Sequence, residues 1–242
     1  IAFTECDGSI TDGSHRINNI KREGIYLIFK EERELVIEYG KKLIESNLTK
    51  GTGGNISVFI RDKKLMAITP SGIDYFKLKP EDILIMDLNG NVVDGSKKPS
   101  SEYSMHRIFY EKREDINAVV HVHSMYSAVL SCMNWELPAV HYLVAISGGR
   151  NVRCAEYATF GTEELAINAF EAMKDRYAVF LANHGLLTGA KDLPNAFNKA
   201  EEIEFCAEIY YRTKTLGEAK ILSDNEMDKM LGLFQTYGQV KR

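Results

Sequence analysis

Two pairs of short β-prone runs, each pair joined by a tight turn, restrict the fold of this chain more than any other feature. Residues 56–69 contain two such runs around a charged turn, and residues 83–93 contain two around Asn89-Gly90. This spacing predicts β-hairpins, since Asn-Gly supplies the left-handed backbone that a tight hairpin turn needs. Hairpin strands pair antiparallel, so we expect a mainly antiparallel sheet.

Helical periodicity fills much of the remaining chain. Apolar residues recur every three or four positions over residues 23–46, which predicts an amphipathic helix. The same reasoning, with N-cap residues and a C-terminal glycine as boundary signals, predicts a helix that residues 99–102 open and that runs through Arg113, with a serine as N-cap. Further helices are predicted at 124–133, 162–174, 193–216 and 223–234. Buried strands are predicted at 118–123, 178–181 and 186–188. No linker divides residues 23–242, so we expect one α/β domain whose sheet is covered by helices, after a flexible lead at residues 1–22.

Composition excludes several classes of protein. The 30 Lys and Arg residues against 34 Asp and Glu give a net charge of −4, and no basic block favours nucleic acid as a partner. The longest uncharged stretch, residues 116–135, contains two histidines and an asparagine, which argues against a membrane span. We see no secretory signal and no C-x-x-C pair among four scattered cysteines, so we expect a cytoplasmic protein.

Two histidines alternate on a predicted buried strand, and this pattern points to a metal. His121 and His123 project to one face, because alternate residues of a strand share a side. His184 precedes Gly185, and we expect this glycine to permit a sharp turn and a close backbone approach. Three imidazoles with one open position are typical of catalytic zinc, and Glu102 is a candidate fourth ligand. Taken alone, the alternation also fits ordinary packed or surface histidines.

The other three histidines fit a metal site less well. His15 lies in the lead segment, His106 is predicted on a helix surface, and His141 is predicted to pack beside Tyr142.

A glycine-rich segment, GTGGN at residues 51–55, lies between a predicted helix and a predicted strand. Glycines let successive N–H groups turn toward an anion, and Thr52 and Asn55 add side-chain donors, so a phosphate nest is one hypothesis. A simple tight turn is the other. The segment is not a P-loop, because no Gly-Lys-Ser/Thr follows. Ser71-Gly72 and Ser100-Ser101 supply further donors, the second pair near a predicted helix N-terminus.

Six motifs occur in the order found in the class II aldolase and adducin head family: GTGGNIS at 51–57, TPSG at 69–72, PSSE at 99–102, HVH at 121–123, YATFGT at 157–162 and NHG at 183–185. The chain resembles this family over about residues 31–238, and within it most resembles the members that act on L-fuculose 1-phosphate. The resemblance implies an αβα-layered subunit, with helices on both faces of the sheet, in a fourfold-symmetric homotetramer. The lead has no counterpart in the family.

The resemblance also implies roles for individual residues. One zinc ion per subunit would be held by His121, His123 and His184, and Glu102 would ligate the resting metal and then act as acid and base. The implied ligands of the substrate phosphate are Thr52, Asn55, Ser71, Gly72, Ser100 and Ser101. Tyr142 would reach across a subunit boundary to the aldehyde oxygen, at active sites shared between subunits. Phe160 and Tyr237, the latter on a mobile tail, would line the aldehyde pocket.

The implied reaction is the reversible, zinc-dependent cleavage of L-fuculose 1-phosphate to dihydroxyacetone phosphate and L-lactaldehyde. Glu102 would protonate C3, and Tyr142 would exchange a proton with the C4 oxygen. Alternatives are an L-ribulose-5-phosphate 4-epimerase, which typically has Asp where Glu102 stands, another ketose-phosphate aldolase of the family, and a methylthioribulose-1-phosphate dehydratase. One sequence does not discriminate among fuculose, rhamnulose, ribulose and deoxypentulose phosphates. A non-catalytic, adducin-like interaction domain would lack the ligands, and a simple sugar-phosphate binder would not need Glu102. Cobalt and manganese are alternatives to zinc.

Overall fold

An eight-stranded sheet runs through the described part of the chain, residues 27–236 of a computed structural model. In spatial order its strands are β4 (Val92–Asp94), β3 (Leu84–Asp87), β2 (Leu65–Ile68), β1 (Asn55–Ile60), β5 (Ala118–Val122), β8 (Gly185–Ala190), β7 (Ala178–Leu181) and β6 (Cys154–Ala155). The helices are α1 (Lys30–Glu45), α2 (Tyr103–Lys112), α3 (Met125–Cys132), α4 (Glu163–Met173), α5 (Leu193–Leu216) and α6 (Asp224–Thr236).

The predicted antiparallel character of the sheet is confirmed. The two predicted hairpins are β1–β2 and β3–β4, and β2–β3, β1–β5, β5–β8 and β7–β8 also pair antiparallel. Only the pair β6–β7 is parallel among the described strands. Because β1 joins the first hairpin to β5, it lies at the centre of the sheet beside the strand that carries the alternating histidines.

Strand alternation divides the interior into two cores, one on each face of the sheet. In β5, Ala118, Val120 and Val122 enter the core formed with α1, α3 and α5, whereas Val119 enters the core formed with α2 and α4. All five β5 residues are buried, as the β-branched run predicts for a strand covered on both faces. The expectation of one α/β domain with helices on both faces is therefore confirmed.

Some local predictions were incomplete or wrong. Helix α1 begins at Lys30, and residues 23–26 of the predicted helix, like the lead, lie outside the described residues. The N-cap of α2 is Glu102 rather than a serine, and Ser100 Oγ accepts a hydrogen bond from the Glu102 N–H at 3.3 Å. Strand β6 and the 3-10 segment Tyr142–Ser147 were not predicted.

The last helix, α6, packs against the 3-10 segment Tyr142–Ser147. Ser223 Oγ accepts a hydrogen bond from the Glu226 N–H, so the serine caps this helix as expected. Arg150 pairs with Asp224 and Asp228 on its first turns. None of the helices between residues 27 and 236 is both long and apolar enough to cross a lipid bilayer.

A fully buried arginine fastens α1 to the edge of the sheet. Arg33 is 0% exposed, and its guanidinium donates hydrogen bonds to the carbonyl oxygens of Ile28 at 2.9 Å, Pro80 at 3.2 Å, and Ile83. It also pairs with the partly exposed carboxylate of Asp94. The buried Ile83 carbonyl therefore takes a donor from this side chain, whereas the Pro80 carbonyl also accepts from the Ile83 N–H at 3.3 Å.

Replacing Arg33 by Met should lower the free energy of unfolding by about 3 kcal/mol, because the buried Ile83 carbonyl and the partly buried Ile28 carbonyl lose a charged donor, while the partly exposed Asp94 pair adds little. Urea denaturation monitored by circular dichroism measures this loss. Lys30→Met is the matched control on the same helix, at an exposed position where about 0.5 kcal/mol or less is expected. Equal stability of the two variants would contradict the assignment.

Candidate active site

The pairing of β1 with β5 creates the floor of the site. Asn55 lies directly opposite His121 in the register, and His121 shares its face of the sheet with Val119, on the side of α2 and α4. His123 follows the end of β5, and the turn between β7 and β8 carries His184 to the same edge. Glu102 arrives from the N-terminus of α2, so four separate segments converge here.

The four predicted metal ligands form one cluster. The Nε2 atom of His121 lies 2.9 Å from His123 Nε2 and 3.2 Å from His184 Nε2. The Glu102 carboxylate lies 3.4 Å from His121 Nε2 and 3.5 Å from His184 Nε2. The potential ligand atoms of all four residues are within 4.8 Å of one another. With metal–nitrogen bonds of about 2.0–2.1 Å, donors around one ion are spaced about 3 Å apart, as these nitrogens are.

The chemistry of this donor set fits a divalent metal. His121 Nδ1 lies 3.0 Å from the Leu186 carbonyl oxygen, to which it donates, so the Nε2 lone pair faces the cluster. Oε1 of Glu102 is buried and accepts no hydrogen bond from the residues that the structure describes. A buried carboxylate oxygen without a donor is costly unless a cation or substrate completes it. The cluster could therefore bind a metal.

Electrostatics keeps the three imidazoles in the form that binds metal. Desolvation lowers the pKa of His121 well below its ordinary value, and the neighbouring rings of His184 and His123 lower it further. Desolvation and His184 lower the pKa of His123 to about 4. At His184 desolvation also lowers the pKa, against the opposing effect of Glu102. All three rings are thus neutral near pH 7 and can donate a lone pair.

The turn that presents His184 differs in detail from the prediction. Its left-handed residue is Asn183, with φ of 55°, rather than Gly185. The expected close approach does occur at Gly185, where an added Cβ would lie 2.3 Å from the Val122 carbonyl oxygen and 3.2 Å from His123 Cδ2. Any side chain at Gly185 would therefore push β8 away from the metal-ligand strand.

A carboxylate from α5 fixes the end of the histidine strand. Glu204 accepts hydrogen bonds from Ser124 Oγ at 2.6 Å, from the backbone N–H groups of Tyr126 at 2.7 Å and Ser127 at 2.9 Å, and from Ser127 Oγ at 2.7 Å. A negative charge at this position satisfies the free donors at the start of α3. Because Ser124 directly follows His123, this cap also holds His123 in place. No sequence pattern pairs Glu204 with this segment.

The glycine-rich loop lies against the cluster. An added Cβ on Gly53 would lie 3.1 Å from His123 Nδ1. The hydroxyl of the buried Tyr75 donates to the carbonyl oxygens of Gly53 and Gly54, at 3.2 and 2.9 Å. Thr52 is exposed at the tip of the loop. Tyr75 therefore holds the loop from the protein interior, and the loop is open to solvent at Thr52, the residue expected to contact phosphate.

The other predicted phosphate motifs are held next to one another. Pro70 pairs with Pro99 in an isolated antiparallel bridge, the Ser71 N–H donates to the Lys98 carbonyl at 2.9 Å, and the Ser100 N–H donates to the Thr69 carbonyl at 3.1 Å. These bonds use two backbone donors that an anion nest would need. Ser71, Gly72 and Ser101 remain exposed, whereas Ser100 is buried.

Asn55 has a contact that the sequence did not predict. Its Nδ2 donates to Glu102 Oε2 at 2.9 Å, and its Oδ1 lies 2.5 Å from His106 Nε2. Both ends of the amide are thus occupied inside the protein. Its expected role toward phosphate remains a prediction, and the side chain holds the candidate acid and base.

The prediction that His106 lies on a helix surface was wrong. His106 is 0% exposed, and its Nδ1 lies 2.6 Å from Ser57 Oγ, which in turn lies 2.5 Å from the hydroxyl of Tyr110. Burial lowers the pKa of His106 to about 3, so the ring is neutral. Two sequence spacings could have indicated these contacts. His106 is four residues after Glu102 at the start of α2, so the two share a face of the helix. Ser57 is two residues after Asn55 on β1, so these two share a face of the strand.

The three aromatic residues expected near the aldehyde are not all described. Tyr142 is 48% exposed, lies 4.7 Å from His141 between ring centroids, and stacks on Phe234 at 6.4 Å. The packing of His141 beside Tyr142 is thus confirmed. Phe160 is 66% exposed, next to Gly161, where an added Cβ would lie 3.0 Å from the Ser101 carbonyl. Tyr237 lies outside the described residues.

Comparisons with known proteins agree with this arrangement. The family model described as Class II Aldolase and Adducin N-terminal domain matches residues 34–211. The chain is 57% identical over 213 residues to a 5-deoxy-D-ribulose 1-phosphate aldolase of Bacillus thuringiensis serovar kurstaki, covering 88% of this chain and 100% of the relative. It is 42% identical over 206 residues to a 5-methylthioribulose-1-phosphate/5-deoxyribulose-1-phosphate aldolase of Rhodospirillum rubrum, covering 85% and 92%. A solved L-fuculose 1-phosphate aldolase superposes with a TM-score of 0.84 at 55% identity, covering 88% and 100%.

Replacing His123 by Ala should abolish stoichiometric binding of one divalent ion per chain, because it removes one of three imidazoles from the cluster. Titration of metal-free protein with Zn²⁺ or Co²⁺, followed by calorimetry and elemental analysis, measures the loss. His141→Ala is the matched control, a half-buried histidine outside the cluster. Retention of one tightly bound ion in His123→Ala with unchanged affinity would remove His123 from the ligand set.

Proposed function

Because this chain belongs to the class II aldolase and adducin family, we propose that it cleaves a ketose 1-phosphate by a retro-aldol reaction. The products are dihydroxyacetone phosphate and an aldehyde, and the reaction is reversible. The observation that carries this proposal is the cluster of three neutral imidazoles around a buried, half-satisfied carboxylate. Family membership supports the metal-dependent aldolase class, and the intact donor set argues against a non-catalytic, adducin-like interaction domain.

The proposed metal is zinc, held by His121, His123 and His184, with Glu102 as its fourth ligand before substrate binds. A divalent ion there would act as a Lewis acid toward the negative charge that cleavage leaves on the ketone side of the C3–C4 bond. Three imidazoles and one carboxylate suit zinc, and they also accept cobalt. The neutral state of the three rings at pH 7 favours metal over protons.

Glu102 is the proposed acid and base. In cleavage its carboxyl group gives a proton to C3, and in condensation the carboxylate removes that proton. Two observations support this role. Asn55 donates a hydrogen bond to Oε2, which fixes that oxygen, and Oε1 has no protein donor among the described residues, which leaves it available.

The substrate phosphate is proposed to bind Thr52, Ser71, Gly72, Ser100 and Ser101, with Asn55 positioned behind them. Two observations support this placement: Thr52 is exposed, and the segments around Ser71 and Ser100 are paired side by side. Phosphate binding away from the bond that breaks would align the reacting atoms. Tyr142 is proposed to serve the C4 oxygen in a neighbouring subunit of a homotetramer. Phe160 and Tyr237 are proposed to border the aldehyde. The exposure of Tyr142 and Phe160 is compatible with contacts made by a second subunit or by substrate.

The substrate class is proposed to be a ketose 1-phosphate that ends in a methyl group. L-Fuculose 1-phosphate would give L-lactaldehyde, and 5-deoxyribulose 1-phosphate would give acetaldehyde. The 57% identity to a 5-deoxy-D-ribulose 1-phosphate aldolase favours the shorter substrate, while a structural relative at 55% identity is named for fuculose 1-phosphate. We propose that 5-deoxyribulose 1-phosphate is preferred and that L-fuculose 1-phosphate is also cleaved. Glu102 argues against the epimerase alternative.

Release of dihydroxyacetone phosphate from a panel of ketose phosphates tests this proposal. The zinc-loaded enzyme should cleave both terminal-deoxy ketose 1-phosphates, with the higher kcat/KM on the pentulose, and should leave L-ribulose 5-phosphate uncleaved. A coupled glycerol-phosphate dehydrogenase assay measures the product. Epimerisation of L-ribulose 5-phosphate without release of a triose from any 1-phosphate would contradict the proposal.

Replacing Glu102 by Gln should slow deuterium uptake at C3 of dihydroxyacetone phosphate by about 100-fold or more, because an amide cannot act as the base that removes the C3 proton. Proton exchange followed by NMR needs no aldehyde and isolates this step. Ser104→Ala, two residues further along in the first turn of α2, is the control and should exchange at the wild-type rate. Unchanged exchange in Glu102→Gln would assign the proton transfer to another group.

A further inference from the structure

A continuous line of buried hydrogen bonds leads from Glu102 into the protein. Asn55 Nδ2 lies 2.9 Å from Glu102 Oε2, and Asn55 Oδ1 lies 2.5 Å from His106 Nε2. His106 Nδ1 lies 2.6 Å from Ser57 Oγ, which lies 2.5 Å from the Tyr110 hydroxyl. Every member is buried, with exposures from 0% to 6%. Nothing in the proposed chemistry requires the three residues beyond Asn55.

The donors along this line point in one direction. Ionised Glu102 only accepts, so the Asn55 amide must present its nitrogen to the carboxylate and its oxygen to His106. The ring must then carry its single proton on Nε2, which leaves Nδ1 as an acceptor for the Ser57 hydroxyl. Ser57 Oγ in turn accepts from Tyr110. Bonds aligned in this way polarise one another in a low-dielectric interior.

The opposite arrangement of protons conflicts with the site. A proton on His106 Nδ1 would leave Nε2 as an acceptor, and Asn55 would turn its nitrogen toward the ring. Its oxygen would then face Glu102 Oε2 at about 2.9 Å, the distance of the present bond, and two acceptors at that distance repel. The tautomer of His106 thus determines which end of Asn55 meets the carboxylate.

We propose that His106, through Asn55, is a positioning residue for Glu102. It holds the amide so that Oε2 is tied to the protein and Oε1 is left for the metal and the reacting carbon. The ionised carboxylate, through Asn55, requires the Nε2–H tautomer, and Ser57 supplies a hydroxyl donor to Nδ1 while Tyr110 can donate to the oxygens of Ser57. Rigid elements hold both sides of the line, since Glu102 and His106 share a face of α2, and Asn55 and Ser57 share a face of β1. The loss of charge on His106 by burial agrees with a ring that carries one proton.

The state of the ring can be measured without any substrate, and this separates the inference from the proposed function on which it rests. Heteronuclear NMR of metal-free and zinc-loaded protein with isotope-labelled histidine should show His106 as a neutral Nε2–H tautomer near pH 7, assigned by its absence in His106→Gln. A neutral Nδ1–H tautomer or a doubly protonated ring would overturn the proposal.

Two variants of His106 separate positioning from simple packing. In His106→Gln the side-chain amide reaches the place of Nε2 and still donates to Asn55, whereas in His106→Asn the amide reaches only the place of Nδ1. We expect His106→Asn to lose about 10- to 100-fold in kcat and in deuterium uptake at C3, with KM and zinc content near wild type. His106→Gln should recover most of that loss. Equal kcat in the two variants, or a loss confined to KM or zinc content, would overturn the proposal.

Ser104→Ala is the control for general damage to α2. Its hydroxyl is buried and donates to Glu163 at 2.8 Å, outside the bonded line, so the variant should keep wild-type kcat. A kcat loss in Ser104→Ala as large as in His106→Asn would overturn the positioning role. If the wild-type enzyme releases no dihydroxyacetone phosphate from any ketose 1-phosphate, the proposed function fails, and the NMR result decides the inference on its own.

Discussion

The antiparallel register between β1 and β5 is the constraint on which the site depends. It sets Asn55 opposite His121, and strand alternation then sends both side chains to the α2 face of the sheet, where Glu102 enters. A shift of one residue in this pairing would turn His121 into the apolar core around Val120 and separate the carboxylate from its imidazoles. Pairing of β1 with β2 and of β5 with β8, together with the full burial of β5, holds the register, so the geometry of the cluster follows from the packing of the sheet.

Much of the fold and the metal cluster could be predicted from local patterns. Alternation placed His121 and His123 on one face, hairpin turns indicated the antiparallel sheet, and the described helices lie within a few residues of their predicted bounds, α1 apart. His184 and Glu102 were candidate ligands on the chemistry of their side chains, and the family resemblance supported both, although they lie far apart in sequence and meet only through tertiary structure. These predictions succeeded because strand and helix periods are properties of short segments, and because the six motifs keep their order.

The predictions that were wrong or missing concern residues whose surroundings are set by contacts between distant segments. His106 is polar, but α2 is buried on the face that carries it, and its partners come from β1, which no helix pattern reveals. A serine was expected as the N-cap of α2, but the Ser100 N–H donates to the Thr69 carbonyl and Glu102 is the N-cap. Strand β6 has two residues and owes its existence to a parallel neighbour, so it carries no periodicity of its own. The pairing of Glu204 with Ser124 joins residues 80 positions apart.

Asn55 belongs to two parts of the molecule at once. It is the last residue of the glycine-rich loop, beside the proposed phosphate position, and the first residue of β1. Its side-chain amide donates a hydrogen bond to Glu102. Substitutions that reshape the loop to accept a different sugar will therefore also disturb the orientation of the carboxylate, and their effects on affinity and on turnover will not be additive. Laboratory evolution of a new specificity would advance more freely through the proposed aldehyde side, at residues such as Phe160, which takes no part in the hydrogen bond between Asn55 and Glu102.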